Sequence, residues 1–252
     1  MRYFIQLAYL GKHYSGWQYQ PNARTVQETL NNALQTILQE QAAIVGAGRT
    51  DSGVHASNMI AHVDLEKSII EQELVYKLNG LLPDDIVIKA VYAVADDAHA
   101  RFSAIYRSYE YRIWLGRNPF ELDTYWQLHQ QKPDVNKMNQ AAQNLLKYTN
   151  FKCFSKSNTD VKTYNCHISK AQWQLEGKKL IFYITADRFL RNMVRAIVGT
   201  LLDIGLDKRN VLEILEIIKS EDRSKAGFSV PAHGLFLTKV AYPKELVNIN
   251  YE

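Results

Sequence analysis

The stretch Gly46-Ala47-Gly48-Arg49-Thr50-Asp51-Ser52-Gly53-Val54-His55-Ala56 lies between two apolar runs, and its reading decides the architecture. Upstream, Ala43 to Ala47 is a short apolar stretch; downstream, Met59, Ala61, Val63 and Leu65 alternate as the side chains of a strand do. The glycine-rich segment is therefore a connection between two strands. A phosphate-cradling loop is a poor fit, because the Lys-Ser/Thr ending is missing and a carboxylate would repel the phosphate. Three glycines permit tight turns and close approach of a ligand, which suits a loop that presents Asp51 itself. Arg49, two residues away, would favour the ionised carboxylate and keep it available as a base or a nucleophile. A structural turn carrying an Arg-Asp pair is the other reading of the same residues.

Working outward, Tyr3 to Tyr9 reads as a strand with Tyr3, Ile5 and Leu7 on one face, followed by an aromatic, Gly-containing loop from Gly11 to Gln20. Thr25 opens a helix: Glu28 completes a capping box, and Val26, Leu30, Ala33, Leu34 and Ile37 recur at helical spacing. A second helix over Glu71 to Leu81 is carried by Leu74, Val75, Leu78 and Leu81 and stopped at Pro83-Asp84-Asp85, before a strand at Ile86 to Val94. An aromatic strand follows at Tyr109 to Leu115, then a polar connection from Asn118 to Pro133. The rest alternates again. A helix is expected at Asp134 to Tyr148, a hairpin around Glu176-Gly177 with a strand at Leu180 to Ala186, helices at Leu190 to Ile204 and Asn210 to Lys219, and a closing strand at Leu235 to Ala241. The expected class is α+β: two similar α/β subdomains, residues 1–104 and 105–252, the first carrying the Asp51 loop.

With 252 residues, 46% hydrophobic and 22% charged, the chain has material for one large or two small cores. No stretch approaches the roughly 18 apolar residues of a membrane-spanning helix, and Met1 to Gln6 lacks the build of a signal peptide, so cytoplasm is the expected location and no membrane partner is expected. The two cysteines, Cys153 and Cys166, are not spaced for zinc, and the scattered histidines His13, His62, His99 and His233 have no metal-ligand spacing; no metal is expected. A net charge of +4 is only mildly basic, but Arg and Lys recur beside aromatics, as in Arg101-Phe102, Arg107 to Arg112 and Arg188 to Arg191. That mixture suits phosphates meeting cations and an unstacked base meeting a ring.

Several residues are candidates for the chemistry. His55 could be a base, or a packed and hydrogen-bonded loop histidine, since no Ser or Cys nucleophile accompanies it. Tyr109 and Tyr111 share one strand face, where one could stack on a base and the usual fate is core packing with a partner for the hydroxyl. Arg188, Arg191 and Arg195 are spaced to share one helix face, and Arg195, in the most apolar section, needs an anion, for which Asp51 is a candidate. Lys12, Lys152, Lys156 and Lys162 are candidate phosphate contacts.

Gly48 to Ala56 resembles the signature of the tRNA pseudouridine synthase A family. The likeness includes Tyr14-Ser15-Gly16-Trp17-Gln18 with Val26-Gln27-Glu28, then His99-Ala100-Arg101-Phe102-Ser103, Arg107-Ser108-Tyr109-Glu110-Tyr111, Phe189 to Gly199, and Ala232 to Leu237, in the expected order over nearly the whole chain. The resemblance implies mainly antiparallel sheets of two subdomains joined into one central sheet flanked by helices, with a cleft between them. It implies Asp51 as the catalytic nucleophile, Tyr109 as the ring stacked on the target uracil, Arg195 as the cation paired with Asp51, and Leu235 as an apolar wall of the base pocket. Arg49, His55 and Arg101 lie within the matched motifs and are assigned with them to substrate binding. A homodimer holding tRNA, targets at positions 38, 39 and 40 of the anticodon stem-loop, and no cofactor are implied as well. The family usually has Ala where this chain has Ser52.

Two other classes compete. A noncatalytic RNA-binding protein would share the basic and aromatic surface and have no need of Asp51. A carboxylate-dependent nucleoside hydrolase would also turn an aspartate on the sugar, but would want a second acid that the matched motifs lack, and it would release free uracil.

Overall fold

The computed structural model describes residues 1–129, 132–157, 161–247 and 249–251. In chain order its elements are β1 (Arg2–Tyr9), α1 (Val26–Leu38), β2 (Val45–Gly46), β3 (His55–Asp64), α2 (Glu71–Leu81), β4 (Ile86–Val94), β5 (Tyr106–Leu115), β6 (Trp126–Leu128), α3 (Val135–Leu145), β7 (Ile168–Glu176), β8 (Lys179–Ala186), α4 (Met193–Gly205), α5 (Glu213–Ser220) and β9 (Leu235–Ala241). The class is α+β, with mainly antiparallel strand pairing and five helices among the described residues. Two compact units make up the chain, one of Met1–Arg107 with the C-terminal stretch from Phe236, the other of Ser108–Leu235. The closing strand, which its place in the sequence puts with the second half, lies almost wholly in the first unit because β9 pairs parallel to β3 through His55 and Phe236.

In the first unit the strands run in the order β4-β1-β3-β9, with β2 added to β3. β1 is antiparallel to both its neighbours, pairing Ile5 with Ala61 and with Val91. Such a central strand has both faces covered, and Phe4 is as fully buried as Tyr3, Ile5 and Leu7, so burial here extends beyond the single expected face. Helix α1 begins where the cap dictates: the Thr25 hydroxyl accepts from the Glu28 N–H at 3.3 Å, and Val26, Leu30, Ala33 and Leu34 are buried. Helix α2 buries Leu74 and Leu78 against β4, whereas Leu81 is half exposed because the apolar stripe runs out at the helix end. From α2, Asn79 reaches the sheet's edge: its side chain accepts from the Ile88 N–H at 2.7 Å and donates to the Ile88 carbonyl at 2.8 Å.

In the second unit the order is β5-β8-β7, with β6 parallel to β5. β7 and β8 form the expected hairpin, turning through Gly177 and Lys178. α3 packs on β7, its start set by Asp134, whose carboxylate accepts from the Asn136 and Lys137 N–H groups. α4 is buried almost all round, as a core helix should be, and packs on α3. Strand β6 falls inside the connection expected at Asn118 to Pro133, of which residues 130 and 131 lie outside the described residues. Helix α5 starts at Glu213, three residues later than expected, because Asn210 uses its N–H on the Glu213 carboxylate and the chain makes a turn first.

Candidate active site

In the first unit the Asp51 segment is folded against the loop that follows β1. Val54 N–H donates to the Asp51 carbonyl at 3.1 Å, closing a four-residue turn whose third position, Gly53, sits at φ +78°. Only glycine adopts that value without strain, which is why the motif carries glycine two residues after the acid. The loop grips this turn from outside. Gly53 N–H donates to the Tyr14 carbonyl, Trp17 N–H to the Thr50 carbonyl, and the hydroxyls of Tyr9 and Thr50 pair at 2.9 Å. Gly16, at φ +95°, lies so close that a Cβ there would sit 2.4 Å from the Thr50 carbonyl oxygen. Backbone therefore packs on backbone, and Asp51 is held half-buried at the tip while Thr50 before it is buried and Ser52 after it is exposed. The Ser52 hydroxyl donates to the Tyr14 carbonyl at 3.3 Å, tying the loop once more.

His55 opens β3 and is fully buried. The Gly11 N–H donates to its Nδ1 at 2.8 Å, and its ring stacks on Phe236 with centroids 4.5 Å apart. A residue expected at the substrate thus stands behind the loop, as a packed and hydrogen-bonded histidine that fixes where β3 begins. Arg49 and Arg101 are exposed. The Arg101 guanidinium lies over the Phe102 ring at 5.5 Å, and Arg107 donates to the carbonyls of both Arg101 and Ala47.

In the second unit Tyr109 and Tyr111 do share a face of β5 and have different fates. Tyr111 is buried, and its hydroxyl donates to the Pro231 carbonyl at 2.8 Å; burial holds that phenol well above its usual range, so it stays a donor. Tyr109 is partly exposed and meets Phe189 edge-on, centroids 5.1 Å apart. We expect Tyr111→Phe to leave the part-buried Pro231 carbonyl without its donor, at a cost of about 1 kcal/mol, lowering the melting temperature by roughly 2–4 °C; calorimetry that finds no shift would show the bond to be replaceable.

Arg195 lies in the first turn of α4. Its Nε donates to the Val230 carbonyl at 2.7 Å, and the Val230 N–H donates back to the Arg195 carbonyl at 3.3 Å, a two-way clamp between the helix and the stretch that leads to β9. Leu235, buried, follows a single 3-10 turn at Ala232–Gly234. The expected row of arginines does not form. α4 begins at Met193, and Asn192 before it takes φ +65°, so Arg188 and Arg191 precede the helix and only Arg195 rides on it. Asparagine tolerates that left-handed backbone far better than most residues, a break that apolar periodicity does not reveal.

Comparison with known proteins adds a second line. A family model described as tRNA pseudouridine synthase matches residues 6–103 and 141–243. The chain is 50% identical over 253 aligned residues to tRNA pseudouridine synthase A of Porphyromonas gingivalis, covering 97% of this chain and 98% of that one. It is also 40% identical to the protein of the same name from Bacillus licheniformis, over 96% and 99% of the two chains, and 37% identical to that of Bacillus subtilis over the same shares. The chain belongs to the tRNA pseudouridine synthase family.

What spacing along the sequence does not disclose is the scaffold behind Asp51. Tyr14, Gly16 and Trp17 grip the Asp51 turn from more than 30 positions away; the sequence marked this stretch as one of the family-like motifs and as an aromatic, glycine-containing loop, but not what it holds. Lys12, Lys152, Lys156 and Lys162 are all exposed. Lys152 and Lys156 line an open cavity of about 730 Å³ in the second unit, where Lys152 also faces Glu221 at 3.7 Å. Cys153 and Cys166 are buried, and desolvation pushes each thiol up to about 12. Among the described residues no group of three His, Cys, Asp or Glu side chains is placed to hold a metal, and no helix is long and apolar enough to cross a membrane.

Proposed function

We propose that this protein isomerises uridine to pseudouridine in tRNA, with the Asp51 carboxylate as the catalytic group. The observation that carries the reading is the pairing of a near-full-length likeness to tRNA pseudouridine synthases A with an aspartate held half-exposed on a glycine turn braced by a second loop. The reaction breaks the C1′–N1 bond, turns the uracil and joins C1′ to C5; C5 gives up its proton and N1 gains one, so mass is unchanged and neither redox cofactor nor metal is required. Asp51 could attack C1′, add to C6 of the base, or take the C2′ proton on the way to a glycal. All three need one ionised carboxylate and a pocket that keeps the detached base. Tyr109 is the ring that stacks on the uracil, Leu235 closes the pocket, and Arg49 and Arg101 are exposed cations for the RNA. Extruding the target nucleotide costs a few kcal/mol, which stacking and phosphate contacts offset.

The pairing of Arg195 with Asp51, the homodimer, the cytoplasmic location and targets at positions 38, 39 and 40 of the anticodon stem-loop rest on the family resemblance. Within its own unit Arg195 is oriented by Val230, which supports a fixed role for its guanidinium. Arg195→Met should lower single-turnover rates by roughly 100-fold or more, the usual loss when one preorganised charged donor goes. A rate within threefold of wild type, in protein that melts normally, would remove Arg195 from the chemistry. The test of the whole reading is site-resolved pseudouridine mapping of unmodified tRNA after incubation with the recombinant protein and no added cofactor. Pseudouridine at discrete sites is expected; release of free uracil would point to hydrolysis, and RNA binding with no product to a noncatalytic role.

A further inference from the structure

We propose that Phe102 is a stacking platform for an unpaired nucleobase of the RNA substrate, a binding contact separate from the target-uracil pocket; it builds on the proposed action on tRNA. Phe102 is 75% exposed, the ring held out on the turn between β4 and β5. A large ring kept in water forfeits the stabilisation that burial would give. The turn nevertheless holds it there firmly. Four consecutive N–H groups, from Ala100 to Ser103, all have acceptors. Ala100 donates to Nδ1 of His62 at 3.2 Å, Arg101 and Phe102 donate to Nδ1 of His99 at 3.1 and 3.3 Å, and Ser103 donates to the His99 carbonyl at 2.9 Å. The Ser103 hydroxyl accepts from the His99 N–H in return. An imidazole nitrogen can accept only when it carries no proton, and burial depresses both rings, His62 to about 4.

The surroundings favour a nucleobase over other occupants. One guanidinium, from Arg101, lies over the ring at 5.5 Å, so a cation stands beside an aromatic surface, the combination that suits a base and its phosphate. The His99 ring props Phe102 from the side with centroids 4.4 Å apart. Arg107 then joins the turn to the Asp51 segment: its Nη2 donates to the Arg101 carbonyl and, at 3.0 Å, to the carbonyl of Ala47, four residues before Asp51. The exposed ring and the catalytic segment are braced by one guanidinium. An RNA engaged at Asp51 therefore has this ring at a fixed offset.

Phe102→Ala and Phe102→Trp test this with the full-length protein, by anisotropy of labelled unmodified tRNA across a salt series. Because the ring is exposed, both variants should melt with wild type. Phe102→Ala should weaken binding about 10-fold, within the range for one lost base–aromatic stack. The slope of log Kd against log salt should stay unchanged, because no phosphate contact is lost. Phe102→Trp should restore affinity. Affinity within twofold of wild type for Phe102→Ala overturns the proposal, as does a fall in sedimenting mass with RNA affinity intact, which would show the ring covering a second copy of the chain. Pseudouridine formation by wild type is followed in parallel. Phe102-dependent binding without product leaves the platform standing and sinks the isomerase reading; product formation with Phe102→Ala binding like wild type does the reverse; no tRNA binding by wild type sinks both.

Discussion

Asp51→Asn protein should bind unmodified tRNA and make no pseudouridine. The substitution keeps the shape of the side chain and replaces a charged, acceptor-only carboxylate with a neutral, non-basic amide. Main-chain bonds hold the turn, with Val54 donating to the Asp51 carbonyl, and the neighbouring grip comes from Tyr14, Trp17 and Thr50. Asp51 is half-buried and the turn's main-chain bonds remain, so the variant should stay folded, which a melting curve checks. An amide can neither attack carbon nor take a proton, and loss of a reacting group of this kind lowers turnover by roughly 10⁴-fold or more. Single-turnover assays with mapped tRNA, alongside a binding isotherm, separate the two effects. Turnover within tenfold of wild type would remove Asp51 from the reaction whatever the family likeness.

Gly199→Ala should damage the fold itself. An alanine in the middle of a helix ordinarily stabilises by roughly 0.5–1 kcal/mol relative to glycine. Here the sign reverses, because a Cβ on Gly199 would stand 1.9 Å from the Phe228 carbonyl oxygen and 3.0 Å from its carbon. That neighbour is backbone, with no rotamer to escape into. The approach is mutual: Gly227 lies against the backbone of Gly199 and Thr200, and its N–H donates to the Thr200 hydroxyl at 2.8 Å. The stretch from Ala226 to Pro231 would have to lift from α4. We expect a loss of about 3 kcal/mol, the upper range of overpacking, and a melting temperature lower by roughly 6–12 °C. Val230 belongs to the same stretch, so the Arg195 clamp loosens and turnover should fall well below the melting point as well. Gly80→Ala, in a helix where nothing lies within 4 Å of the added carbon, is the control and should melt no lower than wild type. Equal melting temperatures for Gly199→Ala and wild type would mean that α4 and its neighbour are looser than described.

The sequence disclosed what depends on neighbours in the chain and hid what depends on distant ones. Thr25 and Glu28 marked the start of α1, the apolar period marked α2, and Glu176-Gly177 marked the hairpin, since each signal is local. Strand β2 lies within the apolar stretch Ala43 to Ala47 that the sequence marks, whereas β6, three residues long inside an expected connection, is too short for any period to show and owes its existence to β5. Asn192 looked like one more polar residue in a helical run, and the arginine row failed there. At the site, the three glycines around Asp51 were visible as a turn. The bond from Tyr111 to Pro231 spans 120 positions, and the grip of Tyr14 on Gly53 nearly 40, so neither could be read from spacing.

Asn79 has a consequence beyond holding α2 in place. β4 ends the strand order of its unit, and a rim of that kind is where foreign chains add themselves and ordered aggregates grow. At Ile88 both main-chain groups that an intruder would use are already taken by the carboxamide of Asn79. The helix thus stations a small mimic of a peptide bond on the sheet's open side, and protein crowded during synthesis or refolding meets a blocked margin at that point.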